Sequence, residues 1–133
     1  NLQDKWFLLL NPEAGSGKGR KMLPWIESAL RKARVAYSVY LTRSPGDAIN
    51  AAEKAINQGY EKIIAAGGDG TFHEVCNGII RQKRIPSADV MLALIPIGTG
   101  NDWPKTWNIS TNIQTAVSLL LQPRTQVLPA GRI

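Results

Sequence analysis

Gly67-Gly68-Asp69-Gly70-Thr71 is the stretch of this sequence whose residue types and spacing are best suited to chemistry. Four apolar residues, Ile63 to Ala66, precede it and suit a buried strand. Phe72, Val75, Cys76 and Ile79 follow it at helical spacing. The glycines therefore sit at a strand-to-helix turn, where a bound group can approach the backbone closely. The first-turn amides and the helix dipole face that group and favour an anion, phosphate above all. Asp69 is out of place in a plain turn. A carboxylate beside a phosphate is repelled unless it meets a metal, a sugar hydroxyl or the transferring group.

The remaining elements must position this turn. Trp6 to Leu10 is a continuous apolar run, as in a parallel strand covered on both faces. It enters Asn11-Pro12-Glu13-Ala14-Gly15-Ser16-Gly17-Lys18-Gly19, a glycine-rich loop with a lysine. Pro12 stands at the first glycine position of a Walker A loop and Gly19 at its Ser/Thr position, so a P-loop is rejected and a looser phosphate-facing nest is left. Met22, Ile26, Ala29, Leu30 and Ala33 follow as a helix with Pro24 in its first turn. Val35 to Thr42 alternates as a half-buried strand, with Thr42 at its carboxyl end. Ala48, Ala52, Ala55 and Ile56 mark a second helix, stopped by Gly59. Thr71 and Glu74 have capping-box spacing, so helix capping explains them as well as ligand contact does.

Val90 to Ile95 is another buried strand and runs into Gly98-Thr99-Gly100-Asn101-Asp102. Trp103 and Trp107 suit core packing. A helix follows from Ser110 with Ile113, Val117, Leu120 and Leu121 on one face, and Gln126 to Leu128 reads as a last strand. Strands and helices alternate throughout. The expected fold is therefore α/β, three-layered and Rossmann-like, with a parallel sheet and helices on both faces. A G-x-G-x-x-G dinucleotide fingerprint is absent. The loops at 11–19, 42–47, 67–71 and 98–102 all leave carboxyl ends of strands, where such folds bind ligands.

The chain has 133 residues, enough for one domain. With 44% apolar and 20% charged residues its composition is that of an ordinary globular protein. No apolar run approaches the ~20 residues that span a bilayer. The net charge of +6 suits nucleotides, nucleic acid or an anionic membrane surface without choosing among them. Basic residues do not cluster with aromatics, which argues against nucleic acid. The single Cys76 excludes an internal disulfide and a multi-cysteine zinc site, fits a cytoplasmic setting, and suits a small core residue better than a nucleophile. His73 is the sole histidine and suits a solvated or packed ring better than a general base. Both ends, Asn1 and the strand-like stretch running into Gly131-Arg132-Ile133, read as cut.

Together, Asn11-Pro12 with Gly15-Ser16-Gly17, Thr42-Arg43 with Gly46-Asp47-Ala48, Gly67 to Thr71 and Gly98 to Asp102 resemble the diacylglycerol kinase catalytic domain family, which includes sphingosine, ceramide and bacterial lipid kinases. The resemblance covers nearly the whole chain and is strongest to the bacterial members. It implies an N-terminal nucleotide-binding domain of the type shared with NAD kinase, ATP and Mg²⁺ as cofactors, and transfer of the γ-phosphoryl to a lipid hydroxyl. By position it assigns Asn11, Pro12, Gly15, Ser16, Gly17, Lys18, Thr42, Gly67, Gly68, Gly70, Thr71 and Thr99 to the nucleotide site. Glu74 and Asn101 become supporting polar residues, and Asp69 the catalytic group that organises metal and phosphates; no other metal ligand is assigned. It further implies a lipid substrate met at a membrane surface, a peripheral cytoplasmic location, compatibility with a homodimer, and a second, β-rich domain carrying the lipid pocket and the general base. Without that domain the chain is expected to bind nucleotide weakly and to be inactive. The family usually carries an acidic residue two positions before the last glycine, where this chain has Pro129. NAD kinase shares the Gly-Gly-Asp-Gly-Thr turn and is the rival enzyme; a non-catalytic nucleotide-binding module is the rival of another class.

Overall fold

A computed structural model describes residues 1–98. The turn bearing Thr99 and Asn101, the tryptophans at 103 and 107, the helix expected after Ser110, the strand at 126–128 and Pro129 lie outside the described residues. Among the described residues four parallel strands, β1 (Trp6–Leu10), β2 (Tyr37–Leu41), β3 (Lys62–Gly67) and β4 (Met91–Pro96), form one sheet in the order β2-β1-β3-β4. Three helices connect them: α1 (Ala14–Lys32), α2 (Asp47–Gln58) and α3 (Asp69–Arg81). The parallel α/β expectation holds.

Alternation along β1 divides the core between two layers. Leu8 and Leu10 join Met22, Ile26 and Leu30 of α1 on one face, whereas Leu9 joins Ala52 and Ile56 of α2 and Val75 and Ile79 of α3 on the other. All but Met22 (4% exposed) are fully buried. β1, β3 and β4 carry continuous apolar runs because helices cover both their faces. α2 is closed by Gly59 with φ 127°, whose amide bonds the Ile56 carbonyl, and Arg84 donates to the same carbonyl.

Three local expectations are corrected. Among the described residues β2 is an edge strand, and it is shorter than 35–42; Val39 and Leu41 are 37% and 38% exposed instead of half-buried. The placement of α1 decides this: it covers residues of β1, β3 and β4 and reaches only Val35 and Tyr37 near the β2 start. Pro24 lies within α1 instead of in its first turn. The regular part of that helix follows residues 15–17, which are left-handed, so Pro24 deprives the Arg20 carbonyl of a helical donor. Finally, α3 begins at Asp69, capped by the extended Gly68, and not at Thr71. No capping box forms. Thr71 and Glu74 spend their side chains elsewhere.

Candidate functional site

The chain leaves β1 for β2 on one side and returns to β3 on the other, so the strand order reverses between β1 and β3. Ligands of open parallel sheets bind at such a crevice, outside the carboxyl ends of the strands. Here the stretches that leave β1 and β4 are tied to the end of β3 by backbone hydrogen bonds. Asn11 donates its amide to the Ala66 carbonyl (3.0 Å), and Ile97, just past β4, donates to the Gly67 carbonyl (2.8 Å).

Glycine makes these approaches sterically feasible. A Cβ on Gly15 would run into the Gly98 carbonyl, and one on Gly19 into the Asn11 carbonyl. A Cβ on Gly67 would sit 2.5 Å from Thr71 Oγ1. Gly15, Ser16 and Gly17 all have positive φ (61°, 59° and 97°), which turns the chain sharply into α1. Ser16 holds this conformation despite its Cβ and is exposed. Such strain in a non-glycine residue concentrates at functional sites.

A cavity of about 310 Å³ opens between the loops after β1 and β2 and the first turns of α3. Of the residues that the resemblance assigns to the site, Asn11, Thr42, Gly70, Thr71 and Glu74 line it. Pro12, Gly15, Ser16, Gly17, Lys18, Gly67, Gly68 and Asp69 do not line it, although they belong to the same sheet edge. Pro12 and Gly67 are buried supports, while Asp69 and Gly70 are exposed at the start of α3. Glu13, within the 11–17 stretch that the resemblance places along the site, completes the wall with Arg43, Ser44, Pro45 and Ala48, which were not singled out from sequence as contacts. Arg43 and Ala48 fall within a motif that carries the family resemblance, which is the signal that marks them.

Several polar side chains of this wall are engaged in shaping it. Asn11 Oδ1 accepts the Glu13 amide (3.0 Å), and Asn11 Nδ2 donates to the buried Thr71 Oγ1 (3.5 Å). Both Glu74 carboxylate oxygens accept the Gly46 amide (3.2 and 3.1 Å). Within the loop after β2, Asp47 Oδ2 accepts the Arg43 amide (2.9 Å), and the Tyr40 hydroxyl donates to both Asp47 oxygens (3.0 and 2.9 Å). Burial pushes the Asp47 carboxyl upward, but the Arg43 amide, the Tyr40 hydroxyl and the Arg43 guanidinium outweigh it and hold the group below its ordinary value of 3.8. Burial, then the bond to Asp47, raises Tyr40 in turn.

The turn itself is suited to an anion. No side chain caps α3, so the first-turn amides are open to a ligand. Space for a Cβ is open at Gly70, and at Gly68 nothing comes nearer than 4.0 Å, so the turn presents bare backbone. Among the described residues no group of three or more His, Cys, Asp or Glu could hold a metal ion. Asp69 fits a divalent cation that phosphate oxygens also hold, and does not fit an all-protein metal site. Cys76, on α3, packs partly buried against the second core layer, and burial raises its thiol, as suits a packing residue. His73 is exposed.

The profile of the diacylglycerol kinase catalytic domain family matches residues 5–133. Diacylglycerol kinase from Staphylococcus saprophyticus subsp. saprophyticus is 34% identical over 126 residues, covering 95% of this chain and 40% of the relative. The enzyme of the same name from Staphylococcus haemolyticus is 36% identical over 126 residues, again 95% of this chain and 37% of the relative. The crystal structure of a diacylglycerol kinase from Bacillus anthracis str. Sterne superposes with a TM-score of 0.64 at 33% identity, covering 88% of this chain and 41% of that one. The chain thus spans about two fifths of the length of these relatives. Over that length the match includes each of the loops that build the site: the chain belongs to the diacylglycerol kinase catalytic domain family.

Proposed function

We propose that this chain is the nucleotide-binding domain of a lipid kinase that transfers the γ-phosphoryl of ATP to the hydroxyl of a diacylglycerol or sphingoid lipid. The observation that carries this is the cavity at the β1/β3 reversal, with the uncapped start of α3 on one side and the loop after β2 on the other. A cavity of this size suits the nucleoside, and the amides of 69–71 suit the phosphates next to it. When bound, Mg²⁺ neutralises phosphate charge as the phosphoryl departs. The chain's own residues do the positioning. Gly68 and Gly70 let phosphate reach the backbone, Asp69 faces the phosphates and their cation, and Thr42 and Asn11 border the cavity. Lys18 lies at the same edge of the sheet, where its charge favours an anion.

The acceptor lipid and the base that takes its hydroxyl proton are assigned to the part of the protein that the longer relatives have beyond this match. Alone, the chain is expected to bind nucleotide weakly and to transfer nothing. A net charge of +6 suits docking on an anionic membrane surface. Among the described residues no helix is long and apolar enough to cross a membrane.

The test is phosphoryl transfer by the complete protein with Asp69→Asn. Diacylglycerol or sphingosine phosphorylation should fall by about a hundredfold or more, as for loss of a group that organises transition-state charge. An unchanged rate removes Asp69 from the chemistry. Phosphorylation of NAD in place of any lipid overturns the whole assignment.

A further inference from the structure

The loop after β2 is braced from two directions, and the braces do different things. The bonds to Asp47 from Tyr40 and Arg43, and that from the Asp47 amide to the Ser44 carbonyl (3.1 Å), run within residues 40–47. They fix the loop's shape but not its place relative to α3. The bond from the Gly46 amide to Glu74 ties the loop after β2, whose residues 42–45 line the cavity, to α3, which carries Glu74 on the cavity's other side. Gly46 has φ 88°, with open space where a Cβ would stand, so glycine is needed there for the conformation that aims the amide.

The helices beneath explain why Glu74 reaches it. Gly78 lies one turn along α3 from Glu74, and a Cβ there would run into the Ile49 carbonyl and come within 2.9 Å of the Ala52 Cβ. This close approach of α2 and α3 brings the start of α2, and with it Gly46, onto Glu74. We propose that Glu74 is a positioning residue: by accepting the Gly46 amide, its carboxylate sets the separation between the loop after β2 and α3, and so the width of the nucleotide cavity. This rests on the nucleotide assignment above. Thr42, Arg43, Ser44 and Pro45 line the wall that Glu74 holds in place; Gly70 and Thr71 line the wall from which it holds them.

A carboxylate held this way acts through its acceptor oxygens, whereas one touching ligand or metal acts through its charge and geometry. Glu74→Ala removes the acceptor, and Glu74→Gln keeps one acceptor oxygen without the charge. In the complete protein without ligand, hydrogen exchange at the Gly46 amide should be faster in Glu74→Ala and close to wild type in Glu74→Gln. Mg-ATP binding, by titration calorimetry, should weaken about tenfold in Glu74→Ala, as for loss of one hydrogen bond to a charged group, and recover most of that loss in Glu74→Gln. Glu74→Leu supplies a longer acceptor-free variant should alanine fail to fold. Unchanged Gly46 exchange in the acceptor-free variant overturns the brace. Equal loss of Mg-ATP affinity in glutamine and alanine assigns Glu74 to direct ligand contact and overturns the positioning role. Failure of the wild type to bind Mg-ATP overturns the nucleotide assignment, while the exchange measurement still decides the brace.

Discussion

The loop after β1 and the loop after β2 wall the same cavity but are held by different kinds of contact. After β1, glycines let backbone pack on backbone: Gly15 on Gly98 and Gly19 on Asn11. After β2, carboxylates do the holding, with Asp47 at the start of α2 and Glu74 reaching over from α3. The first kind of wall has no adjustable part, because a close-packed backbone accepts no extra atom. The second is held by side-chain hydrogen bonds, each worth a modest increment. One wall therefore suits the phosphate-facing side, where geometry is common to all nucleotides. The other suits a surface that can be tuned.

Glycine replacement in the first wall should have the largest effect. Gly19→Ala places a methyl against the Asn11 carbonyl and should cost about 2–4 kcal/mol of stability, since neither backbone can yield. Gly15→Ala should cost at least as much, because its φ of 61° adds left-handed strain to the collision with Gly98. Gly17→Ala is the control: its φ is 97°, but a Cβ there meets nothing within 4 Å, so only conformational strain of about 1–2 kcal/mol is expected. Urea unfolding of the three variants decides. Equal losses at 17 and 19 mean that close approach is not what holds this wall.

The second wall should yield less, and in a pH-dependent way. Asp47 has its carboxyl held below its ordinary value of 3.8, so its contribution to stability is fully present above about that pH and is lost as pH falls through the lower, folded value. Asp47→Asn should therefore lose about 1–2 kcal/mol at neutral pH. The gap between variant and wild type should then close in the window below 3.8 as the wild-type carboxylate takes up its proton. Unfolding midpoints at pH 7 and at a series of pH values below 4 measure it. A gap that stays constant into acid places the stabilisation elsewhere than in the charged carboxylate.

The same contrast explains what could be read from sequence. β1, β3, β4 and the apolar faces of α2 and α3 were legible because helices on both sides of a parallel sheet demand continuous apolar runs and 3.6-residue periodicity. The glycine turns were legible as places where backbone is approached. What escaped depends on residues far apart in the chain. Val39 and Leu41 alternate like any half-buried strand, and only the strand order puts them at an edge. Thr71 and Glu74 have the spacing of a capping box, a local rule, but Asn11 engages the first from 60 residues away and Gly46 the second from 28. The left-handed path of residues 15–17 hid the start of α1, because one of its three residues is a serine.

That serine gives the smallest effect and the one most specific to function. Ser16 is exposed and holds φ 59°, a conformation that costs a residue with a Cβ of the order of 1 kcal/mol relative to glycine. Part of this is returned in the unfolded state, where glycine has more freedom to lose. Ser16→Gly should therefore stabilise the fold by about 0.5 kcal/mol, read as a small rise in the urea midpoint. A substitution that relieves strain and removes only an exposed hydroxyl has no structural reason to weaken ligand binding. If Mg-ATP affinity falls while stability rises, the hydroxyl is a ligand group whose placement requires the strained turn. If affinity holds, the turn itself and not the hydroxyl is what the first wall contributes. A drop in stability means that Ser16 makes a contact that outweighs its strain, and the contrast between a wall of backbone and a wall of side chains fails at this residue.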